Sequence, residues 1–140
     1  MISRMNSSKV IGLVALAEKP GLGEALRIMR RELPRHGLGS CVIETPDALE
    51  RAIGRCGMLV TFGGDGTMLT VSSLAAMHRV PLAGVNLGRL GFMTTCSVQE
   101  LPLLAYALQE GSYLTDERSM LEVVRAGEDG VAAPPRKLAL

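Results

Sequence analysis

The sequence predicts an α/β protein with a doubly wound, mostly parallel sheet, on three observations. Continuous apolar runs of strand length alternate with segments whose apolar residues recur at helical spacing. The runs are apolar throughout rather than every second residue, as strands buried on both faces of a parallel sheet require. Two glycine-bearing segments directly follow apolar runs, and in such sheets the loops beyond the C-terminal strand ends are where ligands bind.

Taken in order, residues 1–8 are polar and are expected to form a disordered tail. Lys9 to Leu16 is the first buried strand, broken by Pro20-Gly21-Leu22-Gly23. Leu22, Leu26, Met29 and Leu33 then make one stripe of an amphipathic helix, which Pro34 and Gly37 are expected to end. Ser40 to Glu44 reads as a second strand, Pro46 to Arg55 as a short helix, and Met58 to Phe62 as a third strand. After Gly63-Gly64-Asp65-Gly66-Thr67, the spacing of Met68, Val71, Leu74 and Ala75 predicts a helix to about His78. Val80 to Val85 is a fourth strand whose early proline suits a strand start. Asn86 to Thr94 is a loop, and Ser97 with Glu100 matches a capping box ahead of a helix carrying Leu101, Leu104, Ala105 and Leu108. Pro102 predicts an irregular first turn, and Gly111 a C-terminal stop. Met120 to Arg125 and the run from Val131 flank Gly127-Glu128-Asp129-Gly130 and read as a hairpin. The switch from alternating elements to a hairpin divides the chain into residues 9–118 and the start of a second, β-rich unit at 119–140.

Composition narrows the function classes. Only 3% of residues are aromatic and none is Trp, so base-stacking platforms are scarce. The net charge is +1 with the basic residues scattered, so no nucleic-acid partner is indicated. Arg27, Arg30, Arg31 and Arg35 share one helix and read as a solvated face. Cys41, Cys56 and Cys96 are widely spaced and odd in number, which argues against a disulfide framework and fits a reducing cytoplasm. His36 and His78 fall at no zinc spacing relative to these thiols, so no metal ligand is assigned. Arg4 and Lys9 before the run from Val10 to Ala17 imitate a secretory signal, but the run is short and serves equally as a buried strand. Nothing approaches the ~20 apolar residues of a membrane span.

Gly63-Gly64-Asp65-Gly66-Thr67 carries the main chemical signal. It follows a buried strand and opens a helix, where glycines let backbone approach a phosphate and free N–H groups attract it. A carboxylate would repel phosphate, so Asp65 makes sense as a metal ligand or as a base toward an attacking hydroxyl; the plain alternative is a strand-to-helix turn with Asp as its N-cap. No G-x-x-x-x-G-K-[ST] motif is present. Gly21-Leu22-Gly23 supplies two of the three glycines of a dinucleotide fingerprint, with Leu26 in place of the third and Glu44 as the acidic residue, which keeps a Rossmann oxidoreductase as an alternative. The second segment, Asn86-Leu87-Gly88-Arg89-Leu90-Gly91-Phe92-Met93-Thr94, is by itself explained as a loop with a core Phe.

Together, GGDGT at 63–67 and NLGRLGFMT at 86–94 resemble the NAD kinase family. Diacylglycerol, sphingosine and phosphofructokinases share turns like the first but not the second. The resemblance runs from about Val10 to the last residue and includes Glu117-Arg118-Ser119-Met120-Leu121. It implies transfer of a phosphoryl group from ATP, or polyphosphate in some members, to the 2′-hydroxyl of the adenosine ribose of NAD, giving NADP. It makes residues 9–118 the nucleotide-binding domain. It also implies that Asp65 orients or deprotonates that hydroxyl, and that Gly63, Gly64, Gly66 and Thr67 hold phosphates. By the same resemblance, Phe92 and Thr94 line the NAD site, while Asn86 and Gly88 shape that loop. It further implies Mg2+ accompanying the donor and small-molecule nucleotides as partners, without membrane, and a homo-oligomer, a dimer or tetramer, when full length. In the family, Leu-Ala-Leu, here Leu138-Ala139-Leu140, continues into an Asn-Asp or Asn-Glu pair and a β-rich domain, so residues 1–140 are expected to be an inactive fragment if alone. Lacking that domain, the hairpin is expected to promote self-association.

Overall fold

The structure, a computed structural model, describes residues 10–89, 91–126 and 132–139, with side chains described up to Val123. The expected tail at 1–8 and the turn at 127–130 lie outside the described residues. Five strands form one parallel sheet: β1 (Val10–Val14), β2 (Ser40–Ile43), β3 (Cys56–Phe62), β4 (Leu82–Asn86) and β5 (Cys96–Ser97), in the order β2-β1-β3-β4-β5. The helices are α1 (Leu22–Arg35), α2 (Pro46–Ala52), α3 (Asp65–Met77) and α4 (Leu101–Glu110). A separate antiparallel pair, β6 (Leu121–Ala126) and β7 (Ala132–Ala139), ends the described chain.

The sheet is buried on both faces, as its continuous apolar strands demand. Ile11, Leu13 and Ala15 of β1 and its extension join Met58, Val60 and Phe62 of β3 against Ala25, Met29 and Leu33 of α1 and Leu101, Ala105 and Leu108 of α4. On the opposite face, Val14 and Leu59 pack with Leu49 and Ala52 of α2 and Val71 and Ala75 of α3. The alternation of each strand therefore feeds two cores, and the doubly wound expectation holds. Cys56 joins the second core with Leu59 because the register of β1 on β3 shifts between Val10 and Ile11.

Several boundaries differ from expectation. The first helix does not stop at Pro34 but runs to Arg35, with Pro34 in the last turn. A proline costs a helix one N–H bond and a clash with the carbonyl four residues back, and near a terminus the chain tolerates both. The actual stop is Gly37 at φ 70°, beside which the Pro34 and Leu33 carbonyls accept the N–H groups of Gly37 and Leu38. Val80 and Pro81 precede β4 rather than belonging to it. The Pro81 carbonyl still accepts the Leu59 N–H, so proline gives its acceptor to the ladder before the strand proper begins. The third strand starts two residues early, at Cys56, and Ile53–Arg55 is a 3-10 turn rather than the end of the helix.

The segment around Pro102 is as irregular as expected. Val98–Glu100 is a 3-10 turn, and Pro102 falls in the first turn of α4, where its missing N–H has no acceptor to lose. The Glu100 carboxylate accepts from both the N–H and the hydroxyl of Ser97, which holds it below the usual carboxylate range. Gly111 at φ 64° closes α4 in the left-handed conformation. The short β5, which no apolar run announced, pairs in parallel with the end of β4. On β6, Leu121 and Val123 are exposed.

Gly12 marks the tightest point of the second core. A Cβ there would stand 2.6 Å from Leu59 Cδ2, 3.0 Å from Cys56 Sγ and 3.1 Å from Ile43 Cδ1, all on buried residues. Gly12→Val should destabilise the fold by about 1–3 kcal/mol through overpacking, read as a lower urea midpoint with unchanged slope. An unchanged midpoint would show that this core can relax around the added atoms.

Candidate active site

Strand order places the site. Between β1 and β3 the order reverses, since β2 lies outside β1 and β4 beyond β3. Helices α1 and α3 leave these neighbouring strands toward opposite faces. The loops that follow β1 and β3 therefore diverge and leave a crevice beyond the strand ends, the place where open α/β sheets bind ligands. A cleft of about 460 Å3 lies there, lined by Leu16, Ala17, Lys19 and Pro46 on one side and by Gly64, Gly66 and Thr67 on the other.

The first glycine loop is built from the sheet outward. The Gly63 N–H donates to the Val85 carbonyl, extending the ladder by one bond before the chain turns. Gly63 has φ 151°, and a Cβ on it would come within 2.4 Å of Thr67 Oγ1 and 2.9 Å of Lys19 Nζ. Only glycine fits this position. Gly64 is the N-cap in extended conformation and gives α3 no side-chain cap. By contrast, a Cβ on Gly64 or Gly66 would meet nothing within 4 Å. These two glycines keep the mouth of the cleft open without being required by the fold.

Asp65 is not an N-cap. It is the first residue of α3, and its carboxylate turns to the second loop, where Oδ2 accepts the Phe92 N–H at 3.0 Å and Oδ1 accepts the Met93 N–H at 2.9 Å. Gly91 permits this approach, since a Cβ there would stand 2.3 Å from Asp65 Oδ1. Each carboxylate oxygen keeps a further lone pair for another donor. Asp65 thus clasps two segments 27 and 28 residues apart in the chain.

The second loop is rigid at its start. Buried Asn86 closes a two-bond ring on Gly88, with Oδ1 accepting the Gly88 N–H at 2.9 Å and Nδ2 donating to the Gly88 carbonyl at 3.1 Å. Thr94 Oγ1 accepts the Gly91 N–H at 3.3 Å. A core Phe is excluded: Phe92 is 98% exposed. A large aromatic side chain held bare beside a carboxylate is a surface for a flat ligand. The structure therefore brings Asp65, Phe92 and Thr94 together around one clasp, with Asn86 and Gly88 as its frame. Gly64, Gly66 and Thr67 face the cleft instead.

Two contributions escaped sequence reasoning. Lys19 reaches across from the loop after β1, and its Nζ donates to Thr67 Oγ1 at 3.0 Å; the available signal was a cation just beyond the strand that neighbours β3. Met68, in the first turns of α3, rests where Gly84 lacks a side chain, its Sδ 2.7 Å from the Cβ that Gly84 does not have. Thr61 donates its hydroxyl to the same sulfur at 3.1 Å, so α3 is seated on β3 and β4 by one methionine.

Among the described residues, no group of three or more His, Cys, Asp or Glu stands where it could hold a metal ion. The described residues offer Mg2+ no protein cage of their own. Among the described residues no helix is long and apolar enough to cross a membrane.

Cys96 lies on β5 below the second loop. Burial, and secondarily the Glu100 carboxylate, push its thiol up to about 11 from 9.0. Since a raised pKa favours the neutral thiol at every pH below it, iodoacetamide should modify Cys96 far more slowly in the folded chain than in urea at pH 8, by about 100-fold in thiolate fraction. The rate should climb as pH rises toward 11. For the clasp, Asp65→Ala should speed hydrogen exchange at the Phe92 and Met93 amides while leaving β1 and β3 amides protected. Unchanged exchange at both amides would mean that the carboxylate does not hold the loop.

Comparison with known proteins gives the family of the chain. The family described as the ATP-NAD kinase N-terminal domain matches residues 13–113. The chain is 36% identical over 132 residues to an NAD kinase of Laribacter hongkongensis, covering 85% of this chain and 45% of the relative. It is 37% identical over 134 residues to an NAD kinase of Heliobacterium modesticaldum, covering 89% and 47%. Its fold superposes on the crystal structure of yeast NADH kinase complexed with NADH with a TM-score of 0.60 at 19% identity, over 94% of this chain and 46% of the other. The chain spans a little under half the length of these relatives. By its family match and the identity along its length, the chain belongs to the NAD kinase family, whose N-terminal domain it carries.

Proposed function

We infer that this chain contributes the catalytic aspartate and the phosphate edge of an NAD kinase, which moves a phosphoryl group from a nucleoside triphosphate such as ATP to the 2′-hydroxyl of the adenosine ribose of NAD. The observation that carries the reading is the clasp: a carboxylate at the start of the helix that borders the cleft of about 460 Å3, accepting the N–H of an exposed aromatic residue.

The division of labour follows from the chemistry. Phosphoryl transfer needs an acceptor oxygen in line with the donor phosphorus and stabilisation of charge on the transferred group. Asp65 has lone pairs left after the Phe92 and Met93 N–H groups, so one oxygen can accept the ribose hydroxyl and draw off its proton as the new bond forms. The same N–H groups hold the carboxylate in one orientation, which spares the entropy of positioning it at each turnover. Phe92 offers a face to a base of the dinucleotide, and Thr94 holds the loop below it. Gly64 and Gly66 let phosphate oxygens reach the first N–H groups of α3, which have no intrahelical acceptor.

Mg2+ fits as a companion of the donor phosphates, since the described side chains offer it no cage of their own. The hairpin β6–β7 is read as the start of a second, β-rich unit that supplies further substrate contacts, and assembly into a homo-oligomer is read as a property of the whole protein. A Rossmann oxidoreductase is disfavoured by the first turn: α1 already begins at Leu22, and the cleft is lined by the later glycine loop rather than by Gly21 and Gly23.

The reading is tested by NADP formation from NAD, ATP and Mg2+, run on residues 1–140 and on the full product of the reading frame that encodes them. Asp65→Asn should lower kcat of the active form by about 100- to 10,000-fold, with less than about tenfold change in either KM. Full turnover in the variant would remove Asp65 as the base.

A further inference from the structure

We propose that Lys19 is the counter-charge for the triphosphate of the phosphoryl donor, bound in the cleft between the β1–α1 loop and the start of α3; the assignment of that anion as a donor rests on the kinase reading above. Lys19 is half-buried, and its ammonium reaches Thr67 Oγ1 across 48 residues of chain. An ammonium carries three donors, and a single hydroxyl satisfies one of them and neutralises no charge. Among the described residues Lys19 makes no ion pair.

Its location makes this lack informative. The N-terminus of a helix carries partial positive charge, so a cation there is electrostatically misplaced. The chain nevertheless holds Lys19 against the first turn of α3, which has no side-chain cap. An anion between the two reverses the sign of both interactions: it pairs with the ammonium and accepts from the free N–H groups of the helix. Gly64 and Gly66 leave its approach clear. The one carboxylate of the loop would repel it, but Asp65 is turned away and bound to the Phe92 and Met93 N–H groups. The site is thus split into a cationic side facing the cleft and a carboxylate side facing the aromatic loop.

The cleft is large enough for more than one phosphate, at about 460 Å3, and on the side of Lys19 its wall is apolar where Leu16, Ala17 and Pro46 line it. This arrangement suits a chain of phosphates ending in a nucleoside. Polyphosphate shares the phosphate chemistry and lacks the nucleoside.

Calorimetric titration of the 140-residue chain with inorganic tripolyphosphate and with ATP, at low salt, tests the proposal. Lys19→Met should weaken both ligands by about 10- to 100-fold, and Lys19→Arg should restore most of the loss. The thermal midpoint of both variants should match the parent, because Lys19 packs no core. Added salt should weaken the parent more steeply than Lys19→Met. ATP binding tighter than tripolyphosphate assigns the apolar wall to a nucleoside; equal affinities assign the site to polyphosphate, and either result upholds Lys19. Parent and Lys19→Met binding both ligands equally, or a parent that binds neither, overturns the proposal. Lys19-dependent binding without NADP formation by the full product of the reading frame would retain the anion site and discard the kinase reading.

Discussion

Everything at the site depends on a divergence at the middle of the sheet. Strands β1 and β3 are hydrogen-bonded neighbours in parallel register, yet the helices that follow them cover opposite faces. Backbone that must leave a common edge in two directions cannot close over it, so a crevice opens there whatever side chains surround it. The loops after β1 and β3 become its two walls, which is why Lys19 and Thr67 meet although 48 residues separate them. The continuous apolar character of the strands makes this possible, because it provides a core on each face and anchors both helices.

On this frame the Asp65 clasp adds a second level of order. Loops gain precision when their polar groups are consumed by fixed partners, and here one carboxylate satisfies two backbone N–H groups of a distant loop. The clasp needs glycine at 91 for clearance, and it needs α3 in place, which Met68 secures by occupying the space Gly84 leaves and taking the Thr61 hydroxyl. Asn86 then pins the other end of the loop through Gly88. A carboxylate held in this way has its orientation fixed by the fold itself. Phe92 stays in solvent beside the clasp.

The glycines divide by physical role. Gly12, Gly63, Gly84 and Gly91 are demanded by packing, since each would place a Cβ under 3.0 Å from another atom. Gly64 and Gly66 meet no such demand and lie on the cleft.

By itself, the sequence determined most of the elements and their order. Apolar runs and helical stripes located the four helices and the main strands because burial on two faces imposes a composition that needs no knowledge of partners. The capping box at Ser97 and Glu100 and the stop at Gly111 were legible because they are local hydrogen-bond and φ requirements. The glycine loops were legible as the segments beyond the C-terminal ends of β3 and β4 because they follow apolar strands. The sequence did not reveal the two-residue β5, too short for any pattern, or the run of α1 through Pro34. Nor did it show that Asp65 faces the second loop, that Phe92 is bare, or that Lys19 stands at the mouth of the cleft. Those are relations between segments that meet only after the sheet has ordered its strands, and only the tertiary structure decided them, because no local preference encodes a contact whose partner lies 27 or 48 residues away.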